Sequence, residues 1–292
     1  MKILVTGGAG FIGTNLIKRL LSENHEVTSL DDYSIGVKEN HIEGCNYIEG
    51  DINKILDLFV LETYVEEYNF DLIYHLAALS RIQPSFDEPT KTFDANVMGT
   101  QNVIEFARKS NVKVVYAGSS SRWCDPHSSP YAAYKHLGEE VCKLYRKTYK
   151  MDIEIARFYN VYGPKEVLEG DWAAVVGKWR RQVRDGELIT IVGDGEQRRD
   201  FTHVDDICDA LWRIGINNVK HEDAWELGTG MNYSINEVYQ MFKERFGAGF
   251  THIPDQPGNY RKTLRKNNDT LEKLGWAPSD KLRDYIFSLD KG

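Results

Sequence analysis

The stretch KILVTGGAGFIG, residues Lys2 to Gly13, decides the fold. Its first five residues, KILVT, form a short run of mainly apolar and β-branched residues, which is typical of a buried strand. The glycine-rich turn GGAGFIG follows, and the next segment, TNLIKRLLSE, places Ile17, Leu20 and Leu21 at helical spacing. A strand, a glycine turn and a helix in this order are typical of a dinucleotide-binding unit.

The glycine turn fits the G-x-G-x-x-G pattern through Gly8, Gly10 and Gly13, and an overlapping pattern begins at Gly7. Glycine lets backbone N–H groups approach a pyrophosphate at a helix N-terminus, where the dipole favours an anion. The next apolar strand, EVTSL, ends at Asp31, near the spacing of a carboxylate that accepts hydrogen bonds from the adenosine ribose. A glycine turn alone could be purely structural, but here a strand, a helix and an acid accompany it. Because the carboxylate would repel a 2′-phosphate, we expect NAD rather than NADP.

Predicted strands and helices alternate through the first half of the chain. CNYIEGD, which ends at Asp51, and FDLIYHLAA are predicted strands on either side of a helix, ILDLFVLETYVEEY. A further helix, TFDANVMGTQNVIEFARKS, precedes the strand VKVVYAGSSS. The alternation predicts an α/β protein with a Rossmann-type, doubly wound parallel sheet, whose ligands bind at the carboxyl ends of the strands. The serines at the end of VKVVYAGSSS should therefore lie at the cofactor.

A tyrosine and a lysine follow these serines at helical spacing. Tyr131 and Lys135 are four residues apart in a predicted helix over residues 131–149, so they share a face. A lysine ammonium beside a tyrosine lowers the pKa of the phenol, and the hydroxyl of Ser119 can hydrogen-bond a substrate oxygen. Y-x-x-x-K also occurs by chance as a surface pair. The Tyr131 and Lys135 pair follows a strand that ends in three serines, and this position favours a catalytic set of Ser119, Tyr131 and Lys135.

Composition argues against several classes of protein. The 292 residues carry a net charge of −8, which disfavours nucleic-acid binding, and no apolar run is long enough to span a bilayer. The sequence opens on MKILVTGG, without an apolar signal region, so we expect a cytoplasmic protein without membrane partners. The cysteines lack the spacing of a zinc site. His203, Asp205 and Asp206 are better explained by a strand end and an aspartate-capped helix than by a metal site, so no metal is expected.

Beyond NVYGP the alternation loosens. DWAAVVGKWRRQV, VDDICDALWRI and SINEVYQMFKERF are predicted helices, ELITIV is a predicted strand, and the basic run KWRRQVR indicates a solvated helix face. We therefore predict an NAD-binding domain with the catalytic residues over residues 1–164. Residues 165–292 are predicted to form a smaller α/β substrate domain, with the chain partly interleaved between the two.

Seven motifs in sequence order resemble the extended short-chain dehydrogenase/reductase family, in particular its nucleotide-sugar epimerases. They are TGGAGFIG, HLAA, NVMGTQN, the Ser and Tyr-x-x-x-Lys set, RFYNVYGP, GDGEQRRDF and LGTG, and they cover nearly the whole chain. The resemblance implies NAD as cofactor and a nucleoside-diphosphate sugar, with a UDP-sugar favoured, as substrate. It also implies a homodimer, for which Val103, Phe106, Val141 and Tyr145 could supply an apolar patch.

The resemblance also assigns site residues. Cofactor contacts are expected from Gly7, Gly10, Phe11, Ile12, Gly13, Asp31, Asp51, Ile52, Leu76, Ala77, Ala78, Asn96, Tyr131 and Lys135. Substrate contacts are expected from Ser120, Asn160, Arg199, Arg261 and Thr263, with both arginines near the diphosphate. Related enzymes often carry an arginine where this chain has Gln256. Either Arg261 takes more of the anion binding here, or phosphate is bound more weakly.

The residues after Ser119 bear on the reaction. Family members that eliminate water or decarboxylate usually place an acid there, whereas this chain has Ser120 and Ser121. The expected reaction is therefore C4 epimerisation of a UDP-hexose, glucose or galactose and their N-acetylated forms, through a 4-keto intermediate. A dehydratase, a reductase, a uronate epimerase or a non-catalytic NAD-sensing protein stays open.

The connection from Ser119 to Tyr131 is shorter than in the resembling epimerases, and Trp123-Cys124 replaces their Tyr-Gly. We therefore expect a rebuilt wall of the sugar pocket. Thr263 occupies the position where a bulky aromatic excludes an N-acetyl group in the resembling enzymes. Its small side chain predicts tolerance of both plain and N-acetylated hexoses.

Overall fold

The computed structural model describes residues 1–60 and 69–290. The strands are β1 (Lys2–Thr6), β2 (Glu26–Asp31), β3 (Cys45–Glu49), β4 (Leu72–His75), β5 (Lys113–Ser119), β6 (Ile153–Phe158), β7 (Asn160–Tyr162), β8 (Ile189–Val192), β9 (Arg198–His203), β10 (Trp225–Leu227), β11 (Asn232–Ser234) and β12 (Phe250–Ile253). The helices are α1 (Phe11–Ser22), α2 (Ile55–Val60), α3 (Ile82–Asp87), α4 (Pro89–Phe93), α5 (Gly99–Ser110), α6 (Pro130–Tyr149), α7 (Val175–Arg184), α8 (Val204–Ile216), α9 (Ile235–Phe246), α10 (Asp269–Leu274) and α11 (Leu282–Ser288).

A seven-stranded sheet dominates the molecule. Its strand order is β10-β6-β5-β4-β1-β2-β3, and every neighbouring pair is parallel. The predicted Rossmann-type sheet is thus confirmed. The order reverses between β1 and β4, and such a reversal opens a crevice at the carboxyl ends of the two strands.

Helices cover both faces of this sheet, as a parallel sheet requires. On one face α1 and α8 bury a cluster that includes Leu16, Leu20 and Leu211. On the other face α2, α5 and α6 bury a second cluster that includes Phe59 and Ile104. The apolar side chains repeat at helical spacing along each helix, so hydrophobic burial fixes which face each helix presents to the sheet.

Two predicted helices differ in detail from the structure. The predicted helix over residues 55–68 begins as α2, and its remainder, residues 61–68, lies outside the described residues. The predicted helix TFDANVMGTQNVIEFARKS combines the end of α4, a π-helical turn (Asp94–Met98) and α5.

The chain returns to the main sheet beyond residue 164. Strand β10 pairs with β6 at the sheet edge, and α8 packs on α1. The remaining elements form a three-stranded sheet, β11-β9-β7, and a two-stranded sheet, β12-β8, around a core of their own that includes Trp179 and Phe242. Part of the second half therefore packs on the main sheet, while the two predicted domains, their boundary at 164 and their interleaving stay predictions.

The predicted aspartate cap of α8 is wrong. His203 is the cap, and its Nδ1 accepts a hydrogen bond from the Asp205 backbone N–H at 3.2 Å. Asp205 and Asp206 lie in the first turn, where their charges favour the helix dipole. Within the described residues, no group of three His, Cys, Asp or Glu side chains could hold a metal ion, and no helix is long and apolar enough to cross a membrane.

The apolar patch predicted for a dimer is also largely wrong. Val103, Phe106 and Tyr145 are buried inside the chain, in the core beneath α5 and α6. The large apolar side chains exposed in this region are instead Met98, Leu137, Leu144 and Tyr149. Helical periodicity placed the apolar residues on α6 but could not tell which face meets the sheet.

Candidate active site

A cleft of about 810 Å³ opens at the carboxyl edge of the main sheet, between the sheet and the second half of the chain. The glycine turn lines one end, and segments around Asn160, Arg199 and Thr263 line the other. Ser119 and Tyr131 lie on the wall as well. One cleft therefore brings together most of the predicted cofactor, catalytic and substrate residues.

The glycine turn has the shape that a pyrophosphate requires. A Cβ on Gly13 would lie 2.1 Å from the Gly7 carbonyl oxygen, and Gly7 has φ +73°, so side chains are excluded by sterics. The helix that follows, α1, has no side-chain cap and no acid in its first turn. Its first N–H groups are thus available to an anion, and the residues present fit the diphosphate of NAD.

Two carboxylates lie beside this turn: Asp31 ends β2, and Asp51 lies two residues beyond the end of β3, which stops at Glu49 rather than at the predicted Asp51. Asp31 accepts hydrogen bonds from the backbone N–H groups of Ala9 and Tyr33, both at 2.9 Å. Burial raises the pKa of Asp31, an effect that these two bonds oppose. Asp51 also lines the cleft, and its Oδ1 accepts a hydrogen bond from the Asn53 backbone N–H at 2.8 Å. Both positions fit an adenosine ribose, and the contacts themselves stay predictions.

Asn96 does not line the cleft formed by the described residues. Its Oδ1 accepts from the Leu79 backbone N–H at 2.8 Å, and its Nδ2 donates to the Leu79 carbonyl at 2.9 Å. The side chain is buried behind the segment that follows β4. Asn96 thus holds the backbone of Leu79, which does line the cleft, and its contact with the cofactor stays a prediction.

The predicted catalytic set comes together as expected from the fold. The Tyr131 hydroxyl donates a hydrogen bond to Ser119 Oγ at 3.2 Å. Ser119 ends β5, and its Oγ also accepts from the Ser121 backbone N–H at 3.1 Å, which fixes its rotamer. Lys135 is buried one helical turn after Tyr131, and its Nζ donates to the Ala117 carbonyl oxygen at 2.6 Å.

Burial dominates the electrostatics of the Tyr131 phenol. It raises the pKa of Tyr131, and the hydrogen bond to Ser119 and then the charge of Arg81 oppose this rise. The lowering of this pKa expected from Lys135 stays a prediction. Burial also lowers the pKa of Lys135 to about 8. In this arrangement the ammonium is directed to the Ala117 carbonyl rather than to the phenol.

Arg81 is a cleft residue that sequence reasoning missed. It directly precedes α3, and its Nε donates to the Trp172 carbonyl oxygen at 2.8 Å, across to the second half of the chain. Its Nη1 donates to the Ser80 carbonyl oxygen at 2.9 Å. The available signal in the sequence is the position of this basic residue, three residues after the motif HLAA.

The substrate end is polar and carries a half-buried cation. Arg199 lines the cleft, its Nη1 donates to the Arg198 carbonyl oxygen at 3.0 Å, and burial lowers the pKa of its guanidinium. Thr263 Oγ1 accepts hydrogen bonds from Asn160 Nδ2 at 3.1 Å and from the Asp200 backbone N–H at 3.3 Å. Thr263 therefore forms a fixed, small part of the wall.

Arg261 does not line the described cleft, contrary to the prediction. Its side chain is 68% exposed and forms an ion pair with Asp194 at 2.9 Å. Gln256 does line the cleft. The exposed pair with Asp194 gives no support to a larger share of anion binding by Arg261, and the alternative, weaker binding of phosphate, stays a prediction.

The short connection before α6 is packed differently from the expectation. Trp123 and Cys124 do not line the cleft among the described residues, because the Trp123 indole lies over Arg157 and its Nε1 donates to Glu226 at 3.1 Å. Tyr260 lines the cleft instead. The sequence could not place Tyr260 there, because its position depends on contact between segments far apart in the chain.

Ser120 takes the predicted place on the cleft wall. The other cofactor residues predicted there, Phe11, Ile12, Ile52, Leu76, Ala77 and Ala78, line the cleft as well.

The chain belongs to the NAD dependent epimerase/dehydratase family, whose model matches residues 3–228. A UDP-glucose 4-epimerase of Mycolicibacterium smegmatis is 34% identical over 312 residues, covering 98% of this chain and 96% of that protein. The solved UDP-glucose 4-epimerase of Thermotoga maritima with UDP-glucose has a TM-score of 0.89 at 27% identity, covering 98% of this chain and 96% of that one.

A second solved structure carries both ligands of the expected kind. It is the UDP-glucuronic acid 4-epimerase of Bacillus cereus in complex with UDP-glucuronic acid and NAD, with a TM-score of 0.85 at 26% identity, covering 98% of this chain and 96% of that one. The resemblance to extended nucleotide-sugar epimerases is confirmed, and the cofactor is NAD.

Proposed function

We propose that the chain is an NAD-dependent C4 epimerase of a nucleoside-diphosphate hexose, with UDP-glucose and UDP-galactose as preferred substrates. The observation that carries this proposal is the Tyr131 to Ser119 hydrogen bond of 3.2 Å, within the cleft that also holds the glycine turn and Arg199. A base, a hydroxyl relay, a pyrophosphate cradle and a second anion site lie along one continuous wall.

Bound NAD supplies the hydride acceptor and donor of the reaction. Tyr131 removes the proton of the C4 hydroxyl, directly or through Ser119, and later returns it. Because the sugar must present both faces of C4, the nucleotide has to stay anchored while the sugar turns. The Arg199 guanidinium suits a diphosphate because its planar fork can donate in parallel to phosphate oxygens.

The residues after Ser119 favour epimerisation over elimination. Ser120 and Ser121 begin a 3₁₀ turn (Ser120–Trp123), and neither can act as the acid that a dehydration or decarboxylation needs. The predicted reaction therefore returns the hydride to the same carbon. NAD is regenerated in each turnover, so we expect it to stay bound through purification.

The test is incubation of the purified protein with UDP-, dTDP- and GDP-hexoses, followed by sugar analysis of the products. Interconversion of UDP-glucose and UDP-galactose without net change in NADH absorbance supports the proposal. A 4-keto-6-deoxy sugar, a pentose, or no product from any nucleotide sugar contradicts it. The Tyr131→Phe variant, run in parallel, excludes a contaminating epimerase.

We also propose that the protein forms a homodimer through α5 and α6. The proposal now rests on Met98, Leu137, Leu144 and Tyr149, which are exposed on or next to these helices. Exposed apolar side chains clustered on neighbouring helices are typical of a subunit interface. Light scattering should give twice the chain mass, and Leu144→Glu should shift it to the monomer. A monomeric wild type at micromolar concentration contradicts the proposal.

A further inference from the structure

The connection between Ser119 and Tyr131 leaves the cleft at Trp123. It begins as a single 3₁₀ turn, Ser120–Trp123, directly after β5. Ser119 and Ser120 line the cleft, whereas Trp123 does not line it in the part of the chain that the structure describes. The proposed function gives Ser119 a role in proton transfer and leaves Trp123, at the other end of the turn, without one.

The Trp123 side chain is held in place by three charged residues. Its indole Nε1 donates to the Glu226 carboxylate, at 3.1 Å to Oε1 and 3.3 Å to Oε2. The Arg157 guanidinium lies 5.0 Å from the centroid of the ring, and the Lys266 ammonium lies 5.9 Å from it. Cation–π contacts and a charge-assisted hydrogen bond each favour one orientation of an indole. The ring is therefore fixed, although 46% of the residue is exposed.

Glu226, the acceptor of this bond, has little freedom to move. It is fully buried in β10, and it also accepts hydrogen bonds from the Tyr159 hydroxyl and from Arg157 Nη1. Arg157 is itself buried, and its Nη2 pairs with Glu139 at 2.8 Å. A buried polar network whose members are satisfied specifies one arrangement of its side chains. The carboxylate thus offers Trp123 a rigid point of attachment.

The same network contacts the strand that carries Ser119. In the register of β5 and β6, Gly118 lies opposite Arg157. A Cβ on Gly118 would lie 2.9 Å from Glu139 Oε1 and 3.2 Å from Arg157 Cγ, so the ion pair packs against the backbone one residue before Ser119. Strand β5 therefore meets the arginine at Gly118, and the 3₁₀ turn returns to it at Trp123.

The turn also fixes the hydroxyl of Ser119. Ser119 Oγ accepts a hydrogen bond from the Ser121 backbone N–H at 3.1 Å, inside the turn. The Cys124 backbone N–H donates to the Ser121 carbonyl at 3.0 Å and closes the turn just after Trp123. If the Trp123 end of the turn is released, the Ser121 N–H loses its fixed direction. Ser119 Oγ then loses the partner that sets its rotamer.

We propose that Trp123 is a positioning residue for Ser119. Its bond to Glu226 holds the 3₁₀ turn, and the turn keeps the Ser119 hydroxyl at the Tyr131 phenol, 3.2 Å away. The inference rests on the proposed function, because it assumes that Ser119 takes part in the reaction. Trp123 supports the proton relay from outside the cleft and contacts neither the sugar nor the cofactor.

Hydrogen exchange of the Ser121 amide in the NAD-loaded protein tests this support directly. Trp123→Phe keeps a ring beside Arg157 and removes the donor to Glu226. We expect the Ser121 amide to exchange about tenfold faster in this variant, because opening of the turn exposes its N–H groups. The Leu4 amide in β1 should exchange at the wild-type rate, since the change is local.

Trp212→Phe is the matched control. The Arg19 guanidinium lies 4.8 Å from the centroid of the Trp212 ring, and the Trp212 Nε1 has no hydrogen-bond acceptor among the residues described. Trp212 belongs to α8, and it is absent from the cleft wall that the described residues form. This variant should leave the exchange of Ser121 unchanged. An unmoved Ser121 amide in Trp123→Phe, or an equal acceleration at Leu4, overturns the proposal.

Kinetics with UDP-glucose give a second readout, which a merely structural role would not move. We expect Trp123→Phe to lower kcat about tenfold and to change KM less than about twofold, because a misplaced relay slows the chemical step without loosening the nucleotide. In a Ser119→Ala background the same substitution should have no further effect, since two residues that act through one step are not additive. An equal fall of kcat in both backgrounds overturns the proposal. If the wild type epimerises no nucleotide sugar, the proposed function fails, and the exchange of Ser121 still decides whether Trp123 holds Ser119.

Discussion

The Tyr131 hydroxyl lies 3.2 Å from Ser119 Oγ, although the two residues reach the site on different elements. Ser119 is fixed by the end of β5, whereas Tyr131 stands in the first turn of α6. Ser129 caps that helix by accepting from the Ala132 backbone N–H at 3.1 Å. Because the cap and Pro130 determine where α6 begins, they also determine where the phenol lies.

Tyr131→Phe removes the proposed base without changing the bulk of the side chain. We expect kcat to fall by about 100- to 10,000-fold, the usual contribution of general acid–base catalysis, with NAD content unchanged. Tyr134→Phe, on the same helix but outside the cleft, is the control and should keep full activity. Wild-type turnover in Tyr131→Phe would show that another group is the base.

Arg199→Met should weaken binding of the nucleotide sugar. Loss of a charge-assisted contact costs about 1.5–3 kcal/mol, so we expect KM for UDP-glucose to rise about 10- to 150-fold. Arg261→Met is the matched control, because its 68% exposed side chain forms only a surface ion pair with Asp194. That pair contributes about 0–1 kcal/mol, so KM should hardly change. An equal rise of KM in both variants would indicate that Arg261 also binds the substrate.

Thr263→Tyr should narrow the sugar end of the cleft. We expect kcat/KM for UDP-N-acetylglucosamine to fall about tenfold or more relative to UDP-glucose, since a steric change of this kind is worth about 1–3 kcal/mol. Thr263→Ser keeps the acceptor for Asn160 and Asp200 and should preserve the wild-type ratio. An unchanged ratio in Thr263→Tyr would mean that the sugar does not reach this wall.

Asp31→Ala should reduce NAD retention. The substitution removes an expected acceptor for the ribose and also the acceptor for the Ala9 backbone N–H, which lies beside the glycine turn. We expect less NAD in the purified protein, measured by absorbance after denaturation. Asp209→Ala, whose partners are Arg19 and Arg213 on the surface, should retain NAD fully. Full retention in both variants would contradict the assignment of Asp31.

His75 should make the fold sensitive to mild acid. It is buried between the hydroxyls of Thr6 at 2.8 Å and Thr100 at 3.0 Å, and burial lowers its pKa from 6.5 to about 3. Below pH 6.5 the unfolded chain binds a proton that the folded chain rejects, so stability falls as the pH drops toward 3. Denaturant unfolding at pH 7.5 and 5 should show the wild type losing about 2 kcal/mol more than His75→Gln. Equal losses would mean that His75 is protonated in the fold.

The sequence predicted the parts of this molecule that depend on local pattern. Strand and helix periodicity, together with the rule for parallel sheets, predict the turn from Gly7 to Gly13, the strand end at Asp31 and the pairing of Tyr131 with Ser119. They also place Asp51 at the cleft, although β3 ends two residues earlier. Each of these residues belongs to an element whose end must meet the crevice.

What the sequence missed depends on contacts between distant segments. Arg261 and Tyr260 are adjacent in the chain, yet one pairs with Asp194 in solvent and the other lines the cleft. Arg81 gains its place from a carbonyl in the second half of the chain. Neither periodicity nor motif spacing predicts where such side chains point, because their direction is fixed only when the two distant segments pack against each other.

The late arrival of β10 gives the chain an order of assembly during synthesis. Until Trp225–Leu227 emerges, β6 is an unpaired edge, and such edges template aggregation. At that stage Arg157 in β6 can pair only with Glu139. Its other two ion-pair partners, Asp223 and Glu226, are synthesised later, together with β10. We therefore expect a ribosome-bound chain that stalls before β10 to bind chaperones rather than to fold. The NAD-binding half should reach its final structure only when β10, which is made late in the chain, pairs with β6.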